Sequence, residues 1–344
     1  MFFFSILYFL LLIGGRWMNN KTGFWFTLLF FSILIGFRGE DVGMDTHTYK
    51  EMYKWLGNDG YNGYPAEIGY AYLNILFYRS GFGFSFFQWA LTCAMMFLIG
   101  RTVWKYSPKP QYSLFVLYAL FFVFYTMNVS RQMLAVSIVL YGYDFLCNKQ
   151  RTRFVICVLV ATLFHYASIV ALGLLFIGKL ELKPMLCCVV LILSILLGGF
   201  LFSDSLLVYL SGPFAVYLQG HHDGFRSGER VGLALLLAVF WSCLCICVFL
   251  FSKKSYRNDF WYKIYFLSVV INNLLIRTEL GLRVVFFFSI VQIIIFPLFL
   301  TCNRLKQKWI AYGIVTFFLT VFFFVFLYNG SASVYPYHNV LFDF

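Results

Sequence analysis

Long apolar runs separated by short polar segments fill most of the chain. Such runs predict membrane-spanning helices, which need about 20 apolar residues when straight. We expect spans at residues 2–14, 24–37, 84–100, 111–127, 131–147, 184–202, 231–251, 264–277, 283–300 and 310–328. Residues 68–77 form an apolar and aromatic stretch too short to cross, which predicts an interfacial or re-entrant helix.

The apolar stretch 154–178 has two interpretations. As one helix it would place Lys179 and Lys183 outside the membrane, against the usual distribution of positive charge. A break at His165 gives two short helices, 153–165 and 166–178, and repairs that distribution. Irregular backbone at membrane depth is tolerated where it lines a protein cavity. We therefore expect about 12 transmembrane helices, with both termini outside.

Composition excludes a soluble protein. Of the 344 residues 62% are hydrophobic and 12% are charged, whereas soluble domains have about 25% charged residues. The expected fold is an all-α polytopic membrane protein, a single integral domain over residues 1–344. Its outer segments are the loops 38–83 and 203–230 and the tail 329–344.

The net charge of +12 is distributed as membrane topology requires. In the 12-helix arrangement the inside loops have 17 of the 26 Lys and Arg residues and three of the 14 acidic residues. A nucleic-acid surface would need the cations on one folded face. We therefore exclude nucleic acid as a partner, and expect the lipid bilayer to be one.

Polar groups in such a chain are costly, so those next to the apolar runs are candidates for function. The candidates at the predicted outer face are Arg38, Asp45, Tyr49, Glu67, Asn128, Arg131, Gln132, Arg277 and Arg283, with His165 at the break. Each also has a structural explanation, such as a solvated loop, a helix start or an Arg277–Glu279 pair. His221, His222 and Asp223 resemble a metal site, but three consecutive residues do not easily converge on one ion.

The shared side of these groups is the stronger signal. Arginines converging at the outer leaflet suit a diphosphate, because a guanidinium matches phosphate oxygens bidentately. Asp45, His165 or Glu67 could accept the proton of an attacking hydroxyl. His165 and Asp45 are equal candidates for the base, and Glu67 is better suited to orient the acceptor.

Four stretches resemble the EpsG family of Wzy-like bacterial polysaccharide polymerases. They are Arg38…Val42-Gly43-Met44-Asp45-Thr46…Tyr49, Glu67-Ile68-Gly69-Tyr70, Asn128-Val129-Ser130-Arg131-Gln132-Met133-Leu134-Ala135 and Phe164-His165-Tyr166-Ala167-Ser168. Met44 departs from the threonine usual in the family. The second half of the chain is similar only in hydropathy and in an arginine, Arg283, before an aromatic run.

The resemblance implies a multi-pass glycosyltransferase of the bacterial inner membrane, with a GT-C-like architecture and no cofactor or essential metal. Its donor and acceptor would be undecaprenyl-diphosphate-linked oligosaccharides, joined at the periplasmic face. The flippase and the chain-length regulator of the same pathway would be further partners. The product could be O-antigen, capsule or exopolysaccharide.

Two other classes of function compete with a polymerase. A lipid-linked oligosaccharide transporter would place charges near the membrane midplane and often has two similar halves. An O-antigen ligase typically has one large outer loop between late spans, whereas the longest loop here, 38–83, is early. An O-acyltransferase would need a His-centred constellation and a path for the acyl donor.

Overall fold

The computed structural model describes residues 1–17, 20–62, 66–201, 228–275, 279–330 and 333–341. All regular structure in these ranges is helical, as the apolar runs predict. The chain divides into two compact units, Met1–Leu172 with Phe296–Leu298 and Leu319–Phe344, and Gly173–Ile295 with Phe299–Phe318. The single domain expected from the sequence stays a prediction.

The first part of the chain forms eight α-helices and two helices of other types. The α-helices are Phe2–Trp17 (α1), Lys21–Gly36 (α2), Thr46–Asp59 (α3), Ile68–Arg79 (α4), Phe84–Tyr106 (α5), Pro110–Leu117 (α6), Ser130–Cys147 (α7) and Arg151–Thr162 (α8). A π-helix, Tyr118–Thr126, follows α6, and a 3₁₀ helix, Tyr166–Lys179, follows α8.

The rest of the chain adds seven α-helices within the described residues. They are Pro184–Leu201 (α9), Gly228–Phe251 (α10), Lys254–Arg257 (α11), Phe260–Leu275 (α12), Glu279–Ser289 (α13), Gln292–Cys302 (α14) and Lys308–Tyr328 (α15).

The predicted spans are largely helical where the structure describes them, but the span 283–300 is interrupted by a turn at Ile290 and Val291, between α13 and α14. By length and composition, three described helices are suited to cross a membrane: Phe84–Tyr106, Arg283–Cys302 (the continuous apolar part of α13 and α14) and Lys308–Tyr328. The other apolar helices are shorter. The number of 12 crossings and the GT-C-like architecture stay predictions.

The break at His165 is confirmed. Helix α8 ends at Thr162 and the 3₁₀ helix begins at Tyr166, so His165 lies in the turn between them. Helices α7 and α8 are joined by a short turn and pack in register, since a Cβ on Gly142 would lie 3.0 Å from that of Cys157. The antiparallel pairing brings the turn at His165 level with the first turn of α7.

The interpretation of residues 38–49 as the start of a long loop was incomplete, because α3 begins at Thr46. Its buried residues, Tyr49, Met52, Tyr53 and Leu56, are spaced as one face of an amphipathic helix. The many polar residues between them masked this period in a chain dominated by apolar runs. A helix at the stretch 68–77 is confirmed as α4, which is two residues longer, and its position at the membrane interface stays a prediction.

The C-terminal tail packs on the loop that follows α2. The Gly39 amide donates to the His338 carbonyl at 3.1 Å, and the Gly43 amide donates to the Ser333 carbonyl at 2.9 Å. The Val340 amide donates to Phe37 at 2.7 Å. These backbone bonds hold the start of the loop 38–83 in one conformation.

Candidate functional site

Arg131, the second residue of α7, is at the centre of the polar groups in the first unit. Its guanidinium lies between two aromatic rings, 5.6 Å from the centroid of Tyr49 and 5.6 Å from that of Tyr70. Cation–π contacts of this kind hold a guanidinium in place while leaving its edge available. The Arg131 side chain is 26% exposed, so part of it is accessible from outside the protein.

Glu67 connects Arg131 to His165. Its Oε2 accepts from Nη1 of Arg131 at 2.6 Å, and its Oε1 lies 3.1 Å from Nδ1 of His165. Glu67 precedes α4 but its side chain does not cap the helix, so the carboxylate is directed to these two partners. Burial opposes ionisation, yet the His165 hydrogen bond and the Arg131 charge outweigh it and lower the pKa of Glu67.

The turn that carries His165 is fixed to the start of α4. The amides of Gly69 and Tyr70 both donate to the Leu163 carbonyl, at 2.9 and 3.3 Å. A Cβ on residue 69 would lie 2.7 Å from the Leu163 Cβ, closer than real Cβ atoms approach. Only glycine permits this contact, which brings His165 within hydrogen-bond distance of Glu67.

Arg38 is buried near the start of α7 and holds the loop before α3. Its Nε donates to Thr46 Oγ1 at 3.0 Å, its Nη1 to the Ile35 carbonyl at 2.6 Å, and its Nη2 to Ser130 Oγ at 3.4 Å. The residue is 2% exposed. Burial lowers the pKa of Arg38 to about 10, so the guanidinium stays charged at neutral pH. As a diphosphate ligand, Arg38 stays a prediction.

Asn128 fastens the same loop to the segment before α7. Its Oδ1 accepts from the Met44 amide at 2.6 Å, and its Nδ2 donates to the Phe124 carbonyl at 2.9 Å. The adjacent Gly43 has φ +90°, and a Cβ there would lie 2.6 Å from the Met127 carbonyl. Two of the stretches that resemble the family therefore bind each other.

Asp45 and Gln132 lie in the same unit. Asp45 is half-buried immediately before α3, and its charge acts on both Arg38 and Tyr49. Burial raises the pKa of Tyr49, and Asp45 raises it further while Arg131 opposes the shift. Gln132 is buried, one residue after Arg131. The catalytic role of Asp45 and the substrate contact of Gln132 stay predictions.

The other predicted site residues lie in the second unit or outside the described residues. Arg283 is exposed on α13, in the second unit. Arg277, His221, His222 and Asp223 lie outside the described residues. In the described ranges, no group of three or more His, Cys, Asp or Glu residues is placed to hold a metal ion.

Tyr70 and the tail residues Ser333 and His338 also contribute to the site. The sequence pattern assigns no role to these three residues. Tyr70 follows Glu67 by three residues, one helical turn, and this spacing could have placed it on the same side of α4. The tail is adjacent to the loop only through the tertiary fold.

The molecule is a helical membrane protein with a partly exposed arginine, a buried carboxylate and an imidazole connected by hydrogen bonds. The chain belongs to the EpsG family, which it matches over residues 21–339. The family is associated with polysaccharide biosynthesis. No curated protein matches the chain, and no solved structure does.

Proposed function

We propose that the protein is a polysaccharide polymerase, a glycosyltransferase of the Wzy type. Its donor is a growing glycan on undecaprenyl diphosphate, and its acceptor is a hydroxyl of a new lipid-linked repeat unit. The reaction takes place at the periplasmic face of the inner membrane. Family membership gives the biosynthetic context, and the charged chain Arg131–Glu67–His165 supplies the chemistry.

Arg131 is suited to the diphosphate of the donor. Its guanidinium is held by two tyrosine rings and is paired with Glu67 through Nη1. The fork geometry of arginine allows a further bidentate contact with phosphate oxygens. Arg131 would neutralise the charge that grows on the diphosphate as it leaves.

His165 and Glu67 are suited to removing the acceptor proton. Glu67 engages Nδ1 of the imidazole, which orients the ring, and the proposal assigns the hydroxyl proton to Nε2, a buried atom that the acceptor hydroxyl must reach within the site. The hydroxyl oxygen forms a bond to the anomeric carbon of the donor. The bond from that carbon to the diphosphate breaks, and its electron pair leaves with undecaprenyl diphosphate.

Glu67 itself is a weaker candidate for the base. The lowered pKa keeps it ionised but also reduces its basicity while it is paired with Arg131. Its role in the proposal is to orient His165 and to stabilise the imidazolium. Asp45 is the second candidate for the base, because it is half-buried at the end of the loop before α3 and its charge acts on Tyr49.

Arg38 has a positioning role in this proposal. It holds Thr46 and Ser130 from within, so that α3, which contributes Tyr49, and α7, which contributes Arg131, keep their spacing. Arg277 and Arg283 stay diphosphate ligands predicted from the sequence alone.

The test uses purified protein in liposomes supplied with lipid-linked repeat units extracted from the producing strain. A polymerase releases undecaprenyl diphosphate and gives a ladder of lipid-linked chains. His165→Ala should leave single units, and Glu67→Gln should slow the reaction. Asp45→Asn should retain activity if His165 is the base.

Other functions give different results in the same assay. A transporter would move units across the bilayer without lengthening them. A ligase or an acyltransferase would modify another acceptor and give no ladder. Full-length chains from both His165→Ala and Asp45→Asn would refute the assignment of the base.

A further inference from the structure

Two tyrosines beside the start of α4 are paired on the surface instead of in the core. The rings of Tyr61 and Tyr72 are stacked, with centroids 6.1 Å apart and planes 30° apart. They are 37% and 58% exposed. Tyr49, Tyr53 and Tyr70 in the same segment are buried. Core packing therefore does not account for the exposed pair.

Polar side chains flank this pair. Asp59 and Asn62 are exposed within two residues of Tyr61, and Asn62 Nδ2 donates to the Asp59 carbonyl at 2.8 Å. Sugars present two kinds of surface to a protein. The C–H face of a pyranose ring packs on an aromatic face, and its hydroxyls bond to carboxylate and amide groups.

The pair is connected to the proposed catalytic group by the backbone. The Tyr61 hydroxyl donates to the Ala66 carbonyl at 3.0 Å, and Ala66 immediately precedes Glu67. Tyr72 lies on α4, the helix that Glu67 begins. The two tyrosines that would hold the sugar ring are therefore close in sequence to Glu67, the carboxylate that orients His165.

We propose that Tyr61 and Tyr72 form a platform for a sugar ring of the acceptor oligosaccharide, with Asp59 and Asn62 bonding to its hydroxyls. The proposal rests on the polymerase function above and gives it an acceptor subsite. Ile68 and Leu76, also exposed on α4, suit contact with lipid. The carboxylate and amide beside Tyr61 favour a glycan over lipid, because lipid makes such groups costly.

The experiment measures binding, not turnover. The probe is the lipid-free oligosaccharide released by mild acid from the strain's own lipid-linked repeat unit. Saturation-transfer NMR, with irradiation of the aromatic protons of the protein in detergent, reports sugar protons that lie against the rings. Tyr61→Ala and Tyr72→Ala should each weaken binding by about fivefold. Tyr72→Phe, which keeps the ring, should stay within about twofold.

Tyr328→Ala is the matched control, since Tyr328 is an 82% exposed tyrosine at the end of α15. It should not change binding. The platform is wrong if the oligosaccharide gives no aromatic transfer, or if both alanine variants bind as the wild type does. In either case a polymer ladder from the wild type would leave the proposed function intact, whereas binding without any ladder would refute the function and keep the platform.

Discussion

The Gly69 amide lies 2.9 Å from the Leu163 carbonyl oxygen and fixes the start of α4 against the turn that follows α8. These two residues are 94 positions apart in the sequence. Because Glu67 and His165 are each two residues from the contact, it determines whether carboxylate and imidazole meet. The proposed catalytic geometry therefore depends on a backbone contact.

Gly69→Ala should separate Glu67 from His165. Its Cβ would lie 2.7 Å from the Leu163 Cβ and 2.8 Å from the Leu163 carbonyl oxygen, so α4 must shift. We expect loss of the polymer ladder and a lower unfolding temperature in detergent. Gly313→Ala is the control, because nothing lies within 4 Å of a Cβ there. Wild-type activity of Gly69→Ala would contradict this account.

Arg131→Lys should reduce polymerisation by at least about tenfold, because an ammonium cannot form the bidentate contact with phosphate. Initial rates of undecaprenyl diphosphate release measure the effect. The control is Arg153→Lys, because the Arg153 guanidinium lies over the Phe145 ring in the exposed first turn of α8, at the end opposite His165. An unchanged rate in Arg131→Lys would exclude bidentate recognition.

Glu67 should make stability depend on pH. Its pKa is lowered in the folded protein, so its contribution is present above the unfolded pKa of about 4.3 and is lost as pH falls through the folded value. The difference in unfolding temperature between wild type and Glu67→Gln should therefore be largest at neutral pH. It should narrow as pH falls below about 4. A constant difference from neutral to acid pH would contradict the assignment.

Asn128→Asp should destabilise the loop before α3. The aspartate still accepts from Met44, but it no longer donates to the Phe124 carbonyl and brings a negative charge next to it. The expected cost is about 1–3 kcal/mol in denaturant unfolding. Asn258→Asp is the control, because exposed Asn258 accepts from the Leu182 amide at 2.7 Å through its Oδ1, which an aspartate retains. Equal losses of unfolding free energy in the two variants would contradict the idea that the two hydrogen bonds of Asn128 hold the loop.

The topology predicts that residue 181 is cytoplasmic. In the second unit, Leu182 bonds to Asn258 and Lys263 donates to the Gly178 carbonyl, so these segments lie at one end. In a background without native cysteines, Glu181→Cys and Asn258→Cys should both resist an impermeant thiol reagent in spheroplasts. Labelling of both positions from outside would contradict the prediction that the chain reverses its direction through the membrane at His165. Labelling of only one would contradict their contact.

The sequence by itself determined the class of protein and most of the helices. A chain with 62% hydrophobic residues cannot be soluble. Long apolar runs bounded by cations form helices in lipid, because a helix satisfies all its backbone hydrogen bonds within one segment. The break at His165 also followed from the sequence, because positive charge at Lys179 and Lys183 constrains the direction of the chain. These are local or compositional properties, so the order of residues along the chain is sufficient to identify them.

Only the tertiary structure decided which polar groups meet. Arg38 and Arg131 look equivalent in the sequence, yet Arg38 is buried in hydrogen bonds and Arg131 reaches the surface between two tyrosines. Glu67 meets His165, 98 residues away, because Gly69 lets two backbones touch. Such contacts depend on how helices pack, and neither hydropathy nor spacing within one helix specifies that packing.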